Sequence, residues 1–237
     1  MKTLIFCTGY ASSLEKWEAI YGRWINAVES GSLSVDKILI PDDGSPCLPS
    51  WPGIDTLVEN LPQTEPHARG VIYQHNTTLG RQAVYVYPGW HRSFMLAAQY
   101  ARQYGYEKII HVEADAFLIS DRIHQYINDF NSGWVTFWCP RYQLPETAIQ
   151  VIAGSALNSL YEIIDVPYSK FSGWPADPGI GQRASWLPYT TINKDFHGDR
   201  WGETLRMPPK NADYACQIPH TMHCWWLGNI SVDTPPK

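Results

Sequence analysis

Short apolar runs alternate with stretches of helical periodicity along the first half of the chain. Residues 3–7 form an apolar run that ends at Thr8-Gly9, which predicts a buried strand followed by a loop. Apolar positions spaced three or four residues apart after a serine cap predict a helix from about Leu14 to Val28. A second strand is predicted at residues 37–40, which lead into the turn-forming residues 41–45.

The same alternation continues as far as residue 112. The proline-rich residues 46–70 predict a loop with at most a short helix near residues 55–60. The apolar spacing of residues 92–104 predicts a helix that Gly105 ends. Three further strands are predicted at residues 71–74, 83–87 and 108–112.

The second half of the chain has a less regular pattern. Strands are predicted at residues 135–138 and 187–190, and a helix at residues 155–164. No internal repeat, low-complexity tract or clear linker interrupts the sequence, so we expect a single domain over residues 1–237. Strands that alternate with helices predict an α/β fold with a mixed, mostly parallel central sheet flanked by helices.

Polar residues follow three of the predicted strands. These segments are Thr8-Gly9, Asp42-Asp43 and Glu113-Ala114-Asp115. Ligands of mostly parallel sheets bind outside the carboxyl ends of the strands. We therefore expect the three segments to meet at one ligand site.

The charge balance argues against a nucleic-acid partner. Eighteen Lys and Arg residues stand against 23 Asp and Glu residues, for a net charge of −5. A duplex binder displaces counterions with a basic face, and a single-strand binder relies on a basic groove. We expect no nucleic-acid binding.

Three features predict a cytoplasmic protein. The first apolar run is too short for a signal peptide, and no cleavage site follows it. No run of about 18 apolar residues is present, so we expect no transmembrane segment. The five cysteines are odd in number and scattered, which fits reduced thiols better than a disulfide framework.

Glu113 and Asp115 place two carboxylates inside an otherwise apolar run. If the strand geometry continued, both side chains would point to one side, which is costly unless a cation or hydrogen bonds compensate the charges. Mg²⁺ and Mn²⁺ prefer such oxygen ligands, often together with substrate phosphates. The alternative is a plain loop in which Asp115 caps the next turn.

The ordered pair of acidic motifs resembles that of the GT-A glycosyltransferases, especially the family-2-like members. Those enzymes carry a D-x-D motif after a buried strand, and Glu113-Ala114-Asp115 is similar to it with Glu in the first place. They often carry Asp-Asp-Gly-Ser after the second strand, which residues 42–45 match. The resemblance covers about residues 1–120 and implies one GT-A-type, Rossmann-like domain. Its nucleotide-sugar-binding half would be about residues 1–120 and its acceptor-binding half about residues 121–237.

This resemblance implies transfer of a sugar from a nucleotide-diphosphate donor to a glycan, glycolipid or protein hydroxyl, assisted by Mn²⁺ or Mg²⁺. Glu113 and Asp115 would hold the metal, and His220 or His223 would add a ligand. The implied donor-binding residues are Thr8, Gly9, Tyr10, Asp42, Asp43, Glu113, Ala114 and Asp115. A plain turn explains Asp42-Asp43-Gly44 about as well. A zinc site with Cys216 and Cys224, or simple hydrogen bonding, would also account for the two histidines.

The second half supplies candidates for the acceptor side. An inverting transferase needs a base for the acceptor hydroxyl, and Asp177 is the first candidate because its loop is similar to the family's Glu-Asp segment. Asp199, in the polar residues 195–203, is the second. A helix cap at Asp177 and a solvated loop around Asp199 are the structural alternatives. Trp174 and Trp201, which neighbour Gly or Pro, are the candidates for stacking on an acceptor sugar.

Two other functions stay open. A sugar nucleotidyltransferase would use a related sheet and metal-bound phosphates, but residues 7–12 contain one Gly and no Lys or Arg, which counts against its phosphate loop. A non-catalytic carbohydrate-binding protein would explain the 11 tryptophans and the Glu in the acidic motif.

Overall fold

A large central sheet organises the computed structural model, which describes residues 1–82, 87–141, 143–166, 191–200 and 212–219. The strands are β1 (Thr3–Phe6), β2 (Lys37–Asp42), β3 (Ile54–Val58), β4 (Gly70–Gln74), β5 (Lys108–Val112), β6 (Phe117–Leu118), β7 (Gly133–Cys139), β8 (Leu144–Ala153), β9 (Thr191–Asn193), β10 (Gly198–Arg200) and β11 (Tyr214–Cys216). The helices are α1 (Leu14–Trp17), α2 (Arg23–Ser30), α3 (Pro88–Tyr104), α4 (Asp121–Asp129) and α5 (Ala156–Ile163), with the π-helical segment Glu18–Gly22 between α1 and α2.

The eight strands of the central sheet follow the order β3-β4-β2-β1-β5-β8-β7-β9. Strand β8 runs antiparallel to both of its neighbours, and the other pairs are parallel. A small second sheet has the order β10-β11-β6. The predicted fold class, α/β with a mixed, mostly parallel sheet flanked by helices, is confirmed, and the arrangement is consistent with a GT-A-type domain.

Helices cover the sheet on both faces because the central strands are apolar on both faces. Alternate residues of β1 show this, since Ile5 packs in the cluster with Trp17 and Trp24, whereas Leu4 packs in the cluster of α3 and α5. Strand residues alternate between faces, so a strand buried on both sides has an unbroken apolar run. This is why the continuous apolar runs of β1, β2 and β5 predict their strands.

The two long helical segments begin and end where local signals place them. The Ser13 side chain accepts a hydrogen bond from the backbone N–H of Lys16 and so caps α1. Helix α3 begins at Pro88, four residues before the predicted start, because proline suits the first turn of a helix. It ends at Gly105, whose φ of 71° lies in the left-handed region that favours glycine.

Two of the loop predictions were wrong. The loop with a short helix near residues 55–60 is instead β3, an edge strand held by parallel pairing with β4. Strand β3 is largely exposed, and its sequence shows little alternation of apolar and polar residues. Pairing with β4, rather than the local sequence, therefore determines that these residues form a strand. Within residues 195–203, predicted as a polar loop, residues 198–200 form β10 in the small sheet. The predicted strand at residues 187–190 and residues 83–86 lie outside the described residues.

The strands predicted at residues 71–74, 108–112 and 135–138 and the helix at residues 155–164 are confirmed, with small differences in their ends. No helix within the described part of the chain combines the length and the apolar character needed to cross a bilayer.

Glu65 connects the amino-terminal ends of β1 and β5 to the carboxyl-terminal end of α3. Its carboxylate lies 2.7 Å from Lys2 Nζ and accepts hydrogen bonds from the hydroxyl groups of Tyr100 and Tyr106. Burial raises the pKa of Glu65, but the hydrogen bonds from Lys2 and Tyr106 outweigh burial and hold it below its usual value of 4.5. The charged form of Glu65 therefore stabilises the folded state.

We expect Glu65→Gln to lower the free energy of unfolding by about 1–3 kcal/mol at neutral pH. Because the pKa of Glu65 is lower in the folded state, its contribution to the free energy of unfolding is fully present above pH 4.5. This contribution is lost as the pH falls through the depressed pKa of the folded state. Urea unfolding at about pH 7 and about pH 3 should thus show a gap between wild type and variant that closes in acid. The exposed Glu29→Gln is the control, and an equal gap at both pH values would contradict the assignment.

Candidate active site

A cavity of about 660 Å³ opens at the carboxyl ends of β1, β2 and β5. All three polar segments that follow these strands contribute to its wall. They are joined by residues of α2, α3 and the segment after β11. Of the predicted donor-binding residues, those that line the cavity are Thr8, Gly9, Tyr10, Asp43, Glu113, Ala114 and Asp115.

The loop after β1 is held rigidly while it presents an aromatic ring. Gly9 continues the pairing of β1 with β2, since its N–H donates to the Pro41 carbonyl at 2.8 Å. A Cβ at Gly9 would lie 2.8 Å from the Ile40 side chain, so this approach requires glycine. The N–H of Tyr10 donates to the Tyr21 hydroxyl at 2.7 Å, and that hydroxyl donates to the Tyr10 carbonyl. The Tyr10 side chain remains 46% exposed at the cavity.

The two aspartates after β2 have different surroundings. Asp42 is fully buried and is not among the residues that line the cavity. Its carboxylate accepts hydrogen bonds from the N–H groups of Gly44 and Ser45, at 3.1 and 2.7 Å, and from the Ser45 hydroxyl. Burial raises the pKa of Asp42 despite these bonds. Asp42 holds the turn of its own motif, and a direct role with the base or ribose stays a prediction.

Asp43 lines the cavity and joins three segments. Its Oδ2 accepts hydrogen bonds from the N–H groups of Leu79 and Gly80, at 3.1 and 2.7 Å. Its Oδ1 pairs with the Arg92 guanidinium of α3. The carboxylate also lies against Gly89 in the first turn of α3, where a Cβ would overlap it. A carboxylate at the positive end of a helix dipole is electrostatically favoured.

The side chain of Glu113 is oriented by neighbours on two other elements. Its Oε1 accepts a hydrogen bond from the indole N–H of Trp90, and its Oε2 accepts one from the Thr8 hydroxyl at 3.2 Å. His111 Nε2 lies 3.8 Å from Oε1. Asp115 is exposed at the cavity, and its carbonyl accepts the N–H of Ile218 at 3.0 Å. Glu113 is therefore oriented by two other elements, and Asp115 is the more exposed residue of the pair.

The donor set suits a hard divalent cation with substrate phosphates as further ligands. Glu113 and Asp115 both contribute carboxylate groups to the cavity wall, and carboxylate oxygens are ligands that Mg²⁺ and Mn²⁺ prefer. Within the described ranges, no three His, Cys, Asp or Glu side chains are grouped as a metal site. His220 and His223 lie outside those ranges. The metal stays a prediction.

Several cavity residues had not been identified from the sequence. Among them are Arg23, Arg81, Trp90, Ser93 and Gln217. The sequence contained one signal for Arg23, which is a lone cation on an otherwise apolar face of a helix. A guanidinium group buried there needs hydrogen-bond acceptors from elsewhere in the fold. The others have no local pattern, because the loops and helices that bring them to the cavity are distant in sequence.

The acceptor-side candidates are only partly within the described residues. Asp199 lies on β10, is buried, pairs with Arg141 and is not among the residues that line the cavity. Its neighbour Arg200 holds the buried Glu146 through two hydrogen bonds of 2.6 and 2.8 Å. These pairs attach the small sheet to the β7–β8 hairpin. A role for Asp199 as base stays a prediction. Asp177, Trp174 and Trp201 lie outside the described residues.

Comparison with known proteins yields structural likenesses only. No protein-family model matches the chain, and no curated protein sequence matches it. One similar solved structure is a glycosyltransferase involved in the glycosylation of the major capsid of PBCV-1, with 13% identity, a TM-score of 0.47, and 92% of this chain and 95% of that chain covered. Another is HddC from Yersinia pseudotuberculosis, with 9% identity, a TM-score of 0.41, and 83% and 90% covered. The activity must therefore be inferred from the residues of the cavity.

The contact between Asp43 and Gly89 can be tested directly. We expect Gly89→Ala to destabilise the protein by about 1–3 kcal/mol, because the new methyl group would overlap a carboxylate held by three partners. Thermal unfolding measures the effect. Gly31→Ala is the matched control, since its Cβ would come no nearer than 3.2 Å to the Ala27 carbonyl oxygen. Equal stability of the two variants would contradict the close approach.

Proposed function

We propose that this protein is a glycosyltransferase that uses a nucleotide-diphosphate sugar as donor and a hydroxyl group as acceptor. The observation that carries the proposal is the convergence of Thr8–Tyr10, Asp43 and Glu113–Asp115 on one cavity at the carboxyl ends of three parallel strands. The volume of about 660 Å³ is within the range of small-molecule and cofactor sites.

The chemistry of the wall differs from one part of the cavity to another. The exposed ring of Tyr10 offers an apolar face for a nucleobase. The acidic pair Glu113 and Asp115 suits a metal-bound diphosphate, and Arg81 brings positive charge to the same cavity. This mixture of an aromatic face, carboxylates and a guanidinium group matches the parts of a nucleotide-diphosphate sugar.

In the proposed reaction, the acceptor hydroxyl oxygen forms a bond to C1 of the donor sugar. The bond between C1 and the diphosphate oxygen breaks, and the nucleoside diphosphate leaves with the electron pair. Asp177 would take the proton of the hydroxyl if the configuration is inverted, with Asp199 as the second candidate. Trp174 and Trp201 would contact the acceptor. A divalent cation held by Glu113 and Asp115 would supply Lewis-acid stabilisation of the leaving charge.

A thermal-shift panel of UDP, GDP, ADP and CDP and their common sugar esters, with and without Mn²⁺, tests the donor site. A ligand at about 100 times its Kd adds roughly 2.7 kcal/mol, which raises the melting temperature measurably. We expect stabilisation by one nucleotide series, larger with Mn²⁺ and lost in Asp115→Asn. The exposed Asp129→Asn is the control. No response to any nucleotide would contradict the proposal and favour a carbohydrate-binding protein.

Turnover tests the role of Glu113 separately from its structural contacts. Glu113→Gln keeps one oxygen to accept from Trp90, its amide NH₂ can donate to the Thr8 hydroxyl, and the negative charge is removed. We expect release of nucleoside diphosphate from the donor to fall about 100-fold or more, with little change in melting temperature. Glu162→Gln, exposed on α5, should match the wild type. Release of pyrophosphate from a nucleoside triphosphate and a sugar phosphate would instead indicate a nucleotidyltransferase.

A further inference from the structure

Gln217 forms part of the cavity wall in a backbone conformation that favours glycine. It directly follows β11 and has a φ of 58°. Among the described residues, two other non-glycine residues have positive φ, Glu59 and Gln143, and neither lines the cavity. A non-glycine residue with positive φ is uncommon, and one held in this conformation by the surrounding structure in a cavity wall supports a hypothesis of function.

The surrounding structure does impose it, through bonds on the next two residues. The N–H of Ile218 donates to the carbonyl of Asp115, and the guanidinium of Arg23 donates to the carbonyls of Ile218 and Pro219, at 3.2 and 3.0 Å. Arg23 is only 2% exposed and its guanidinium lies 5.0 Å from the Phe117 ring centroid. A buried guanidinium is tolerated where acceptors satisfy it, so the two carbonyls are fixed in place.

These bonds attach the segment to the acidic motif and direct Gln217 to the same cavity. The Gln217 amide can both donate and accept, as a sugar hydroxyl does.

We propose that Gln217 is a specificity residue that contacts the sugar of the donor, and that Arg23 is its positioning residue. This inference rests on the proposed function. It adds that the segment after β11 recognises the sugar part of the donor. The nucleobase and diphosphate would be bound without Gln217.

The test compares a nucleoside diphosphate with its sugar ester. Isothermal titration calorimetry with UDP and UDP-glucose, and with GDP and GDP-mannose, gives two Kd values per pair for each variant. In Gln217→Gly we expect an equal or higher melting temperature, an unchanged Kd for the diphosphate, and a Kd for the sugar ester about five- to tenfold weaker. Gln143→Gly makes the same replacement at a similar φ away from the cavity and should change neither Kd.

The outcomes separate the two proposals. If the wild type binds neither pair and no other nucleotide of the thermal-shift panel, the proposed function fails and this inference fails with it. If the wild type binds a pair and Gln217→Gly binds the sugar ester equally well, the proposed function stands and the specificity role of Gln217 is overturned. An equal weakening of diphosphate and sugar ester in Gln217→Gly also overturns it, because the residue would then act on the whole site.

Arg23→Lys tests the positioning role. Lysine keeps the charge but lacks the fork that reaches two carbonyls. We expect the same selective weakening for the sugar ester, with no further loss in the Arg23→Lys, Gln217→Gly double variant. Arg102→Lys on α3 is the control. Equal weakening of diphosphate and sugar ester in Arg23→Lys would mean that Arg23 contacts phosphate itself, which contradicts a positioning role.

Discussion

The Asp43 carboxylate is the interaction on which the cavity depends. It accepts backbone hydrogen bonds from residues 79 and 80, pairs with Arg92, and lies against the first turn of α3. Three segments are thereby held together, namely the end of β2, residues 79 and 80, and the start of α3. Because a buried carboxylate is costly without such partners, each of the three segments is needed to keep the others in place. The Asp-Asp-Gly-Ser motif thus has a structural function whatever ligand the cavity binds.

The Glu113 carboxylate, in the acidic motif after β5, is oriented by hydrogen bonds from two other elements. Glu113 reaches the Trp90 indole and the Thr8 hydroxyl, so its orientation is set by α3 and by the loop after β1. An aspartate at this position would be shorter by one methylene group. The length of Glu113 therefore suits a site in which Trp90 is a hydrogen-bond donor. Asp115 faces solvent at the cavity and is the more accessible carboxylate of the pair.

The cavity wall also joins segments that are far apart in the chain. Arg23 extends from α2 to the carbonyls of residues 218 and 219, and the carbonyl of Asp115 accepts the N–H of Ile218. The wall next to the acidic motif is consequently built from residues near position 20, near position 115 and near position 217. A change in any one of these segments is expected to affect the other two.

The sequence by itself determined the α/β class, the central strands, the long helix α3 and three of the segments at the cavity. It could do so because fully buried strands have unbroken apolar runs, and because the carboxyl ends of neighbouring parallel strands lie at one edge of a sheet. The sequence does not distinguish the roles of Asp42 and Asp43, because the two residues are adjacent and of the same type. Only the tertiary structure decided that Asp42 holds a turn whereas Asp43 lines the cavity. It also decided that residues 54–58 form an edge strand, because pairing with β4 outweighs a weak local pattern. Arg23, Trp90 and Gln217 join the site through contacts between residues far apart in the chain, and no local spacing encodes such contacts.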